Sequence, residues 1–281
     1  MSSIPLTLAE AVPLGTVMLQ RLLDDAGIRS LVIKGPAFVE LGVRRPKQSN
    51  DIDLLVAPCD VESATRALAA GGWTSQSPWY PRALDDITFS RTFSHTHFPV
   101  TVDLHHHFSG LLDADAFEVL WQRRASVDLA NCPVLVPDRE DAFIIEGLNA
   151  LKSRRPSAWR HVAEAVLSNA EPVDLGAAVR AATRLGARET AAPVIEAMGG
   201  LAPEGPVSRE YGRWARETGQ DRPRLLLKYL IRRAPWALPR VVWDRLTPKG
   251  VRAASGIRTN AGGVSAYLRL LVRRVRTVLM R

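Results

Sequence analysis

Cysteine is nearly absent from this 281-residue chain, which has only Cys59 and Cys132. Two are too few for a disulfide framework, so a reducing, cytoplasmic setting is expected. Also missing is any run approaching the roughly 18 uninterrupted apolar residues that a membrane-crossing helix needs. No basic N-terminal segment leads into an apolar signal core. Acidic residues are scarce in one region only: residues 205–281 hold 18 basic and 4 acidic residues, whereas residues 1–204 hold 19 and 25. The net charge of +8 therefore belongs to the C-terminal part. That asymmetry predicts an anionic partner there, either nucleic acid, an acidic protein or a phospholipid surface to which the chain would be peripheral.

The composition that remains, 46% hydrophobic and 23% charged, is that of a globular protein with one large or two modest domains. Pro13 to Ala26 carries apolar residues at helical spacing, with Pro13 suited to the first turn and Gly27 to the stop. A strand ends at Lys34, and Gly35-Pro36 turns it into a helix over Pro36–Leu41. Residues 42–50 are polar and basic and form a loop.

The central stretch is Asn50-Asp51-Ile52-Asp53-Leu54-Leu55-Val56. Side chains alternate across a strand, so Asp51 and Asp53 share one face, where two close carboxylates call for a cation such as Mg²⁺. Asp60 is the expected N-cap of a helix that Gly71 stops. A short strand at Trp73–Gln76 follows, then two strands over Asp86–Phe93 and Val100–His106, the second carrying Asp103. From Ala114 the period turns helical. Asp138 is placed as an N-cap with Asp141 three residues later, and helices are expected over 142–151, 158–168, 175–185 and 189–198. Pro203 to Pro206 reads as a linker. In the C-terminal part, Arg224–Arg233 and Tyr267–Met280 are basic stretches, and the second is amphipathic.

These motifs resemble the nucleotidyltransferases of the DNA polymerase β superfamily, and within it an uncharacterised bacterial family with a Leu-Lys-Gly turn, Asp-Ile-Asp-Leu-Leu-Val and a later acid-Leu-His strand. Here these are Ile33-Lys34-Gly35, Asp51–Val56 and Asp103-Leu104-His105. The resemblance covers roughly residues 15 to 200 and implies an α+β fold, a polymerase-β-like domain with a small mixed sheet over residues 1–136 followed by a helical domain over 137–204; charge and periodicity add a basic helical region over 205–281. The resemblance also implies a transferase that moves a nucleoside monophosphate from an NTP, ATP among them, to an acceptor. The acceptor could be a peptide, protein, RNA or small molecule. Mg²⁺ or Mn²⁺ would be held by Asp51, Asp53 and Asp103, nucleotide would be bound by Lys34, Gly35, Arg45, Lys47 and Ser49, and His105 would have an auxiliary role.

The turn departs from the wider superfamily, because Pro36 stands where many members have glycine or a hydroxyl. That departure keeps open a second function, a degenerate fold that binds nucleic acid, membrane or protein through its basic region. Five of the six histidines lie between His95 and His107. Facing strands that bring His95 or His97 to His105 or His107 would suit zinc, although no cysteine pair supports it.

Overall fold

Thr7 and Glu10, rather than Pro13, set the start of the first helix. The computed structural model describes residues 6–246 apart from 78, 85, 86 and 221. In it α1 spans Leu8–Asp25 and contains Pro13. The Thr7 amide and hydroxyl donate to the Glu10 carboxylate at 2.9 and 2.7 Å. This capping box overrides the cue that proline gave for a later start.

The sheet consists of β1 (Ser30–Val32), β2 (Asp51–Val56), β3 (Thr74–Ser75), β4 (Ser90–His95) and β5 (Phe98–His105). Their order is β1-β2-β5-β4-β3. The central β2–β5 pair is parallel and the other pairs are antiparallel. The strand expected over 86–93 begins instead at Ser90, and its turn into β5 narrows to Thr96-His97. Two short helices, α2 (Pro36–Glu40) and α3 (Val61–Ala70), match their expected turns and stops.

Alternation along the strands divides the sheet into two faces. Ile52, Leu54, Val56, Val100, Val102 and Leu104 pack with Leu19, Leu23 and Leu68 of α1 and α3. The opposite face carries Asp51, Asp53, Asp103 and His105, while Leu55 joins the core beneath the later helices.

The helical period expected from Ala114 breaks after α4 (Ala116–Gln122), because β6 (Ala125–Leu129) and β7 (Cys132–Val136) form an antiparallel hairpin. Ala130 and Asn131 both have positive φ, 49° and 59°, as a two-residue hairpin turn demands. The hairpin packs on the sheet through Leu129, Val134 and Val136 and is tied to it by the Gln20 side chain. The Gln20 amide donates to the carbonyls of Ser30 and Leu135 at 3.1 and 3.0 Å, and its oxygen accepts from the Leu135 N–H at 2.6 Å.

Four helices follow: α5 (Arg139–Leu151), α6 (Trp159–Asn169), α7 (Leu175–Arg184) and α8 (Ala192–Ala197). Asp138 caps α5 by accepting from the Asp141 N–H at 2.9 Å. The Asp141 side chain is fully buried and accepts from Arg184 Nε at 2.9 Å and Arg123 Nε at 3.4 Å. Arg123 also pairs with Asp138.

Beyond them lie α9 (Arg209–Glu217), α10 (Arg222–Arg233) and α11 (Leu238–Leu246). Leu230 packs with Leu84, Ile87, Ala234, Ala237 and Val241, so the Arg224–Arg233 stretch docks on its own protein by an apolar side. The Tyr267–Met280 stretch lies outside the described residues. Among the described residues no helix is long and apolar enough to cross a membrane.

Candidate active site

Register decides which carboxylates meet. In the parallel β2–β5 pair Asp53 stands directly opposite Asp103, and Asp51 stands opposite Thr101. Directly paired residues project to the same side of a sheet, so Asp51, Asp53 and Asp103 share one face. A one-residue slip would have turned Asp103 into the apolar core.

Asp53 is the hub of the cluster. It is buried, pairs with the Lys34 ammonium, and receives His105 Nε2 at 2.9 Å on the same oxygen. Burial alone would raise its carboxyl, but the His105 hydrogen bond and the Lys34 charge override that and hold it well below the usual carboxylate range. Asp103 accepts from the Thr92 hydroxyl at 2.6 Å on neighbouring β4. Burial pushes the Asp103 carboxyl up against that bond, and the charges of Asp53 and Asp51 add to the rise.

Burial also pushes His105 down despite its bond to Asp53, so the neutral ring is favoured. With Nε2–H donating to Asp53, Nδ1 is left as a buried acceptor without a hydrogen-bond partner. Carboxylate oxygens of Asp53 and Asp103 and a ring nitrogen of His105 lie within 4.8 Å of one another. The donor set is dominated by hard oxygen, the chemistry that suits Mg²⁺ or Mn²⁺.

The other expected residues divide. Asp51 stands outside that tight group and accepts from the Ser49 hydroxyl at 2.7 Å. Gly35 has φ +72°, and no atom lies within 4 Å of where a Cβ would sit, so the backbone beside Lys34 is open to approach. Arg45 is turned away, donating to the Ser168 carbonyl at 2.9 Å, and Lys47 is exposed. It is Arg44 that faces inward, 3.8 Å from Glu146. The Arg160–Glu164 contact at 3.2 Å is an exposed ion pair one helical turn apart.

The histidines do not form one group. His95 pairs with Phe98 at the turn of the β4–β5 hairpin, whereas His105 pairs with Ser90 at its far end. That separation removes the expected zinc geometry.

Two residues had escaped the motif reading. Thr92 has no signal beyond its place on a strand. Glu146 does have one: it is an acid in a helix whose neighbours Ile144, Ile145, Gly147 and Leu148 are all buried. Burial raises its carboxyl although the charges of Arg44, Lys34 and Lys152 oppose the rise, and its Oε2 has no hydrogen-bond partner.

Against known proteins, the pattern of the uncharacterised nucleotidyltransferase family matches residues 13–196. The chain belongs to this family. The match takes in the Lys34-Gly35 turn, both central strands and the helices through α8. Comparison with curated protein sequences gives no match.

Among solved structures, the chain is similar to the lincomycin-bound lincosamide antibiotic adenylyltransferase LnuA, at 11% identity and TM-score 0.33, over 46% of this chain and 80% of that one. It is also similar to the antibiotic-resistance factor ANT(2'')-Ia, at 13% identity and TM-score 0.39, over 69% and 93%. A third is an antigenic nucleotidyltransferase-like protein from Paracoccidioides brasiliensis, at 13% identity and TM-score 0.38, over 80% and 94%.

Proposed function

We propose that this nucleotidyltransferase is an active, metal-dependent enzyme that transfers a nucleoside monophosphate from an NTP to an acceptor hydroxyl or amine. In that reaction the acceptor atom gives up its proton to solvent and bonds to the α-phosphorus, the bond from that phosphorus to the oxygen bridging the β-phosphate breaks, and pyrophosphate leaves. The observation that carries the reading is Asp53 opposite Asp103 on parallel strands, with Asp51 on the same face. Asp53 and Asp103, with Asp51 beside them, would hold Mg²⁺, whose contribution is to align the acceptor with the α-phosphate and to stabilise charge on the departing pyrophosphate.

The chain's own groups have separable tasks. Thr92 and His105 orient the two inner carboxylates, and Ser49 orients Asp51. Lys34 balances the Asp53 charge in the free protein, and its flexible stem would let the ammonium turn to a phosphate were a metal held by the carboxylates. Gly35 offers an unobstructed backbone to the same phosphate.

The Lys34–Asp53 pair also favours a second reading, since a carboxylate neutralised by lysine suits a fold retained for binding alone. Incubation with each labelled NTP, Mg²⁺ and fractions of protein, peptide, RNA and small molecules separates the two. Release of pyrophosphate with a labelled product, lost in Asp53→Asn, is the result expected of the enzyme. Nucleotide binding without any product from any NTP would support the second reading.

A further inference from the structure

Outside the carboxylate cluster, a cavity of about 770 Å³ opens where the turn before α6 meets the end of α9 and the start of α10. Three exposed arginines line it, Arg155, Arg216 and Arg224, and no carboxylate is among its described lining residues. None of the three guanidinium groups has an ion-pair or hydrogen-bond partner among the described residues. Like charges gathered in a concavity focus a positive field that only an anion or solvent relieves.

A second hollow, of about 200 Å³, shares Arg216 and Gln220 with the first and adds Arg213, Lys228 and Arg232. Glu217, the one carboxylate among its described lining residues, is engaged by the Tyr229 hydroxyl. The cations thus follow one another from the turn before α6 onto the face of α10.

The frame holding them is fixed. Gly219 N–H donates to the Lys152 carbonyl at 3.3 Å. Gly219 has φ +73°, and a Cβ there would lie 2.8 Å from the Arg155 nitrogen, so the two walls meet where only glycine fits. Beneath them the rings of Trp159 and Trp214 pack with centroids 5.1 Å apart. Each indole N–H is engaged, Trp159 with the carbonyls of Leu151 and Arg154 at 3.3 and 3.2 Å, and Trp214 with the Ser109 hydroxyl at 3.1 Å.

We propose that the two hollows form one track for the phosphodiester backbone of a single-stranded nucleic acid. Arginine forks match phosphate oxygens in pairs. Successive cations along a groove match a chain of phosphates better than they match a lone anion. A concave track is also a poor fit to a flat bilayer. Among the described residues no aromatic side chain lines the first cavity, which favours recognition of backbone over stacking on bases there. The proposal stands apart from the transfer reaction and requires neither metal nor NTP.

The test is fluorescence anisotropy of a labelled oligouridylate with the full chain, metal and nucleotide omitted. Arg216→Gln with Arg224→Gln should weaken binding about tenfold and make the log affinity against log salt shallower by about 1.4, two contacts at about 0.7 each. The comparison pair, Arg66→Gln with Arg124→Gln, removes the same charge from exposed residues that line neither hollow and should cost less than about threefold. Arg155→Gln, an exposed single change, should weaken binding about threefold, and circular dichroism checks that each variant is folded. Equal losses from the two pairs, or an unchanged affinity in the Arg216/Arg224 pair and in Arg155→Gln, would overturn the proposal. So would phosphatidylglycerol vesicles that bind through these arginines while the oligonucleotide does not.

Discussion

Among the described residues two clusters bury an aspartate against cations, and one of them is the proposed catalytic site. At the start of α5, Asp141 is held between Arg184 and Arg123, with Asp138 sharing the same arginines. Each carboxylate there faces a planar fork and the cluster joins three helices, while burial and the Asp138 charge still push the Asp141 carboxyl up to about 6. On the sheet, Asp53 is held by a lysine and a neutral histidine, and two further carboxylates stand on the same face. A burial penalty met by arginines is a structural joint. A surplus of carboxylates met by one flexible ammonium leaves negative charge for a metal to answer.

The largest expected effect breaks that comparison on the side of activity. Asp53→Asn should lower transfer by more than about a thousandfold, because metal-assisted charge stabilisation is worth several kcal/mol. Steady-state assay of a variant shown to be folded by circular dichroism checks this, and near wild-type turnover would end the metal reading. The counterpart, Asp141→Asn, should leave the turnover of folded enzyme within about twofold and instead cost about 1 to 2 kcal/mol in urea unfolding at pH 7, the lost pairing with Arg184 and Arg123 being partly offset because burial and the Asp138 charge already push the Asp141 carboxyl up to about 6. That is less than the 3–5 kcal/mol of a fully buried broken pair, because Arg184 keeps some contact with water.

Exchanging the cation sharpens the contrast. Lys34→Met should reduce kcat/KM about tenfold through loss of a phosphate contact. Lys34→Arg should lose at least as much, since a guanidinium fork on Asp53 would turn the site into a joint of the Asp141 kind. Recovery of activity in Lys34→Arg would contradict the role given to the flexible stem.

The smallest effect concerns Glu146, whose carboxyl is raised by burial. A folded-state value above the unfolded one means that the native protein binds more protons in that window. Stability therefore falls as pH rises through it. Glu146→Gln should gain about 1 kcal/mol at pH 7 to 8 and nothing below the ordinary glutamate range, as read from thermal unfolding across pH.

The difference between the two clusters was only partly legible in the sequence. The Asp51-x-Asp53 spacing and strand alternation placed two carboxylates on one face, and the Lys34-Gly35 turn fell beside them. Placing Asp103 required the pairing of two parallel strands roughly 50 residues apart, whose register no local pattern encodes. The same holds for Thr92, which reaches Asp103 only through the β4–β5 pairing. Arg44 and Arg45 are neighbours in the chain, and nothing in composition says which faces inward; the packing of α5 decides it. The hairpin after α4 was hidden because each of its strands has only five residues and its turn uses Ala130-Asn131 in place of a glycine. Asp141 announced itself as part of a capping box, but its arginine partners come from elements before and after it.

One glutamine has a consequence for how the molecule behaves in a crowd. A strand at the border of a sheet offers its N–H and C=O groups to any passing chain, and long, flat borders seed aggregates. At one border here β3 has only two residues, too few to template a partner. At the other, the Gln20 side chain fills the place a neighbouring strand would take, answering the Ser30 carbonyl and both peptide groups of Leu135. Replacing Gln20 with leucine, similar in size but unable to hydrogen-bond, would leave that border open, and the first symptom would be lost solubility on concentration rather than lost catalysis.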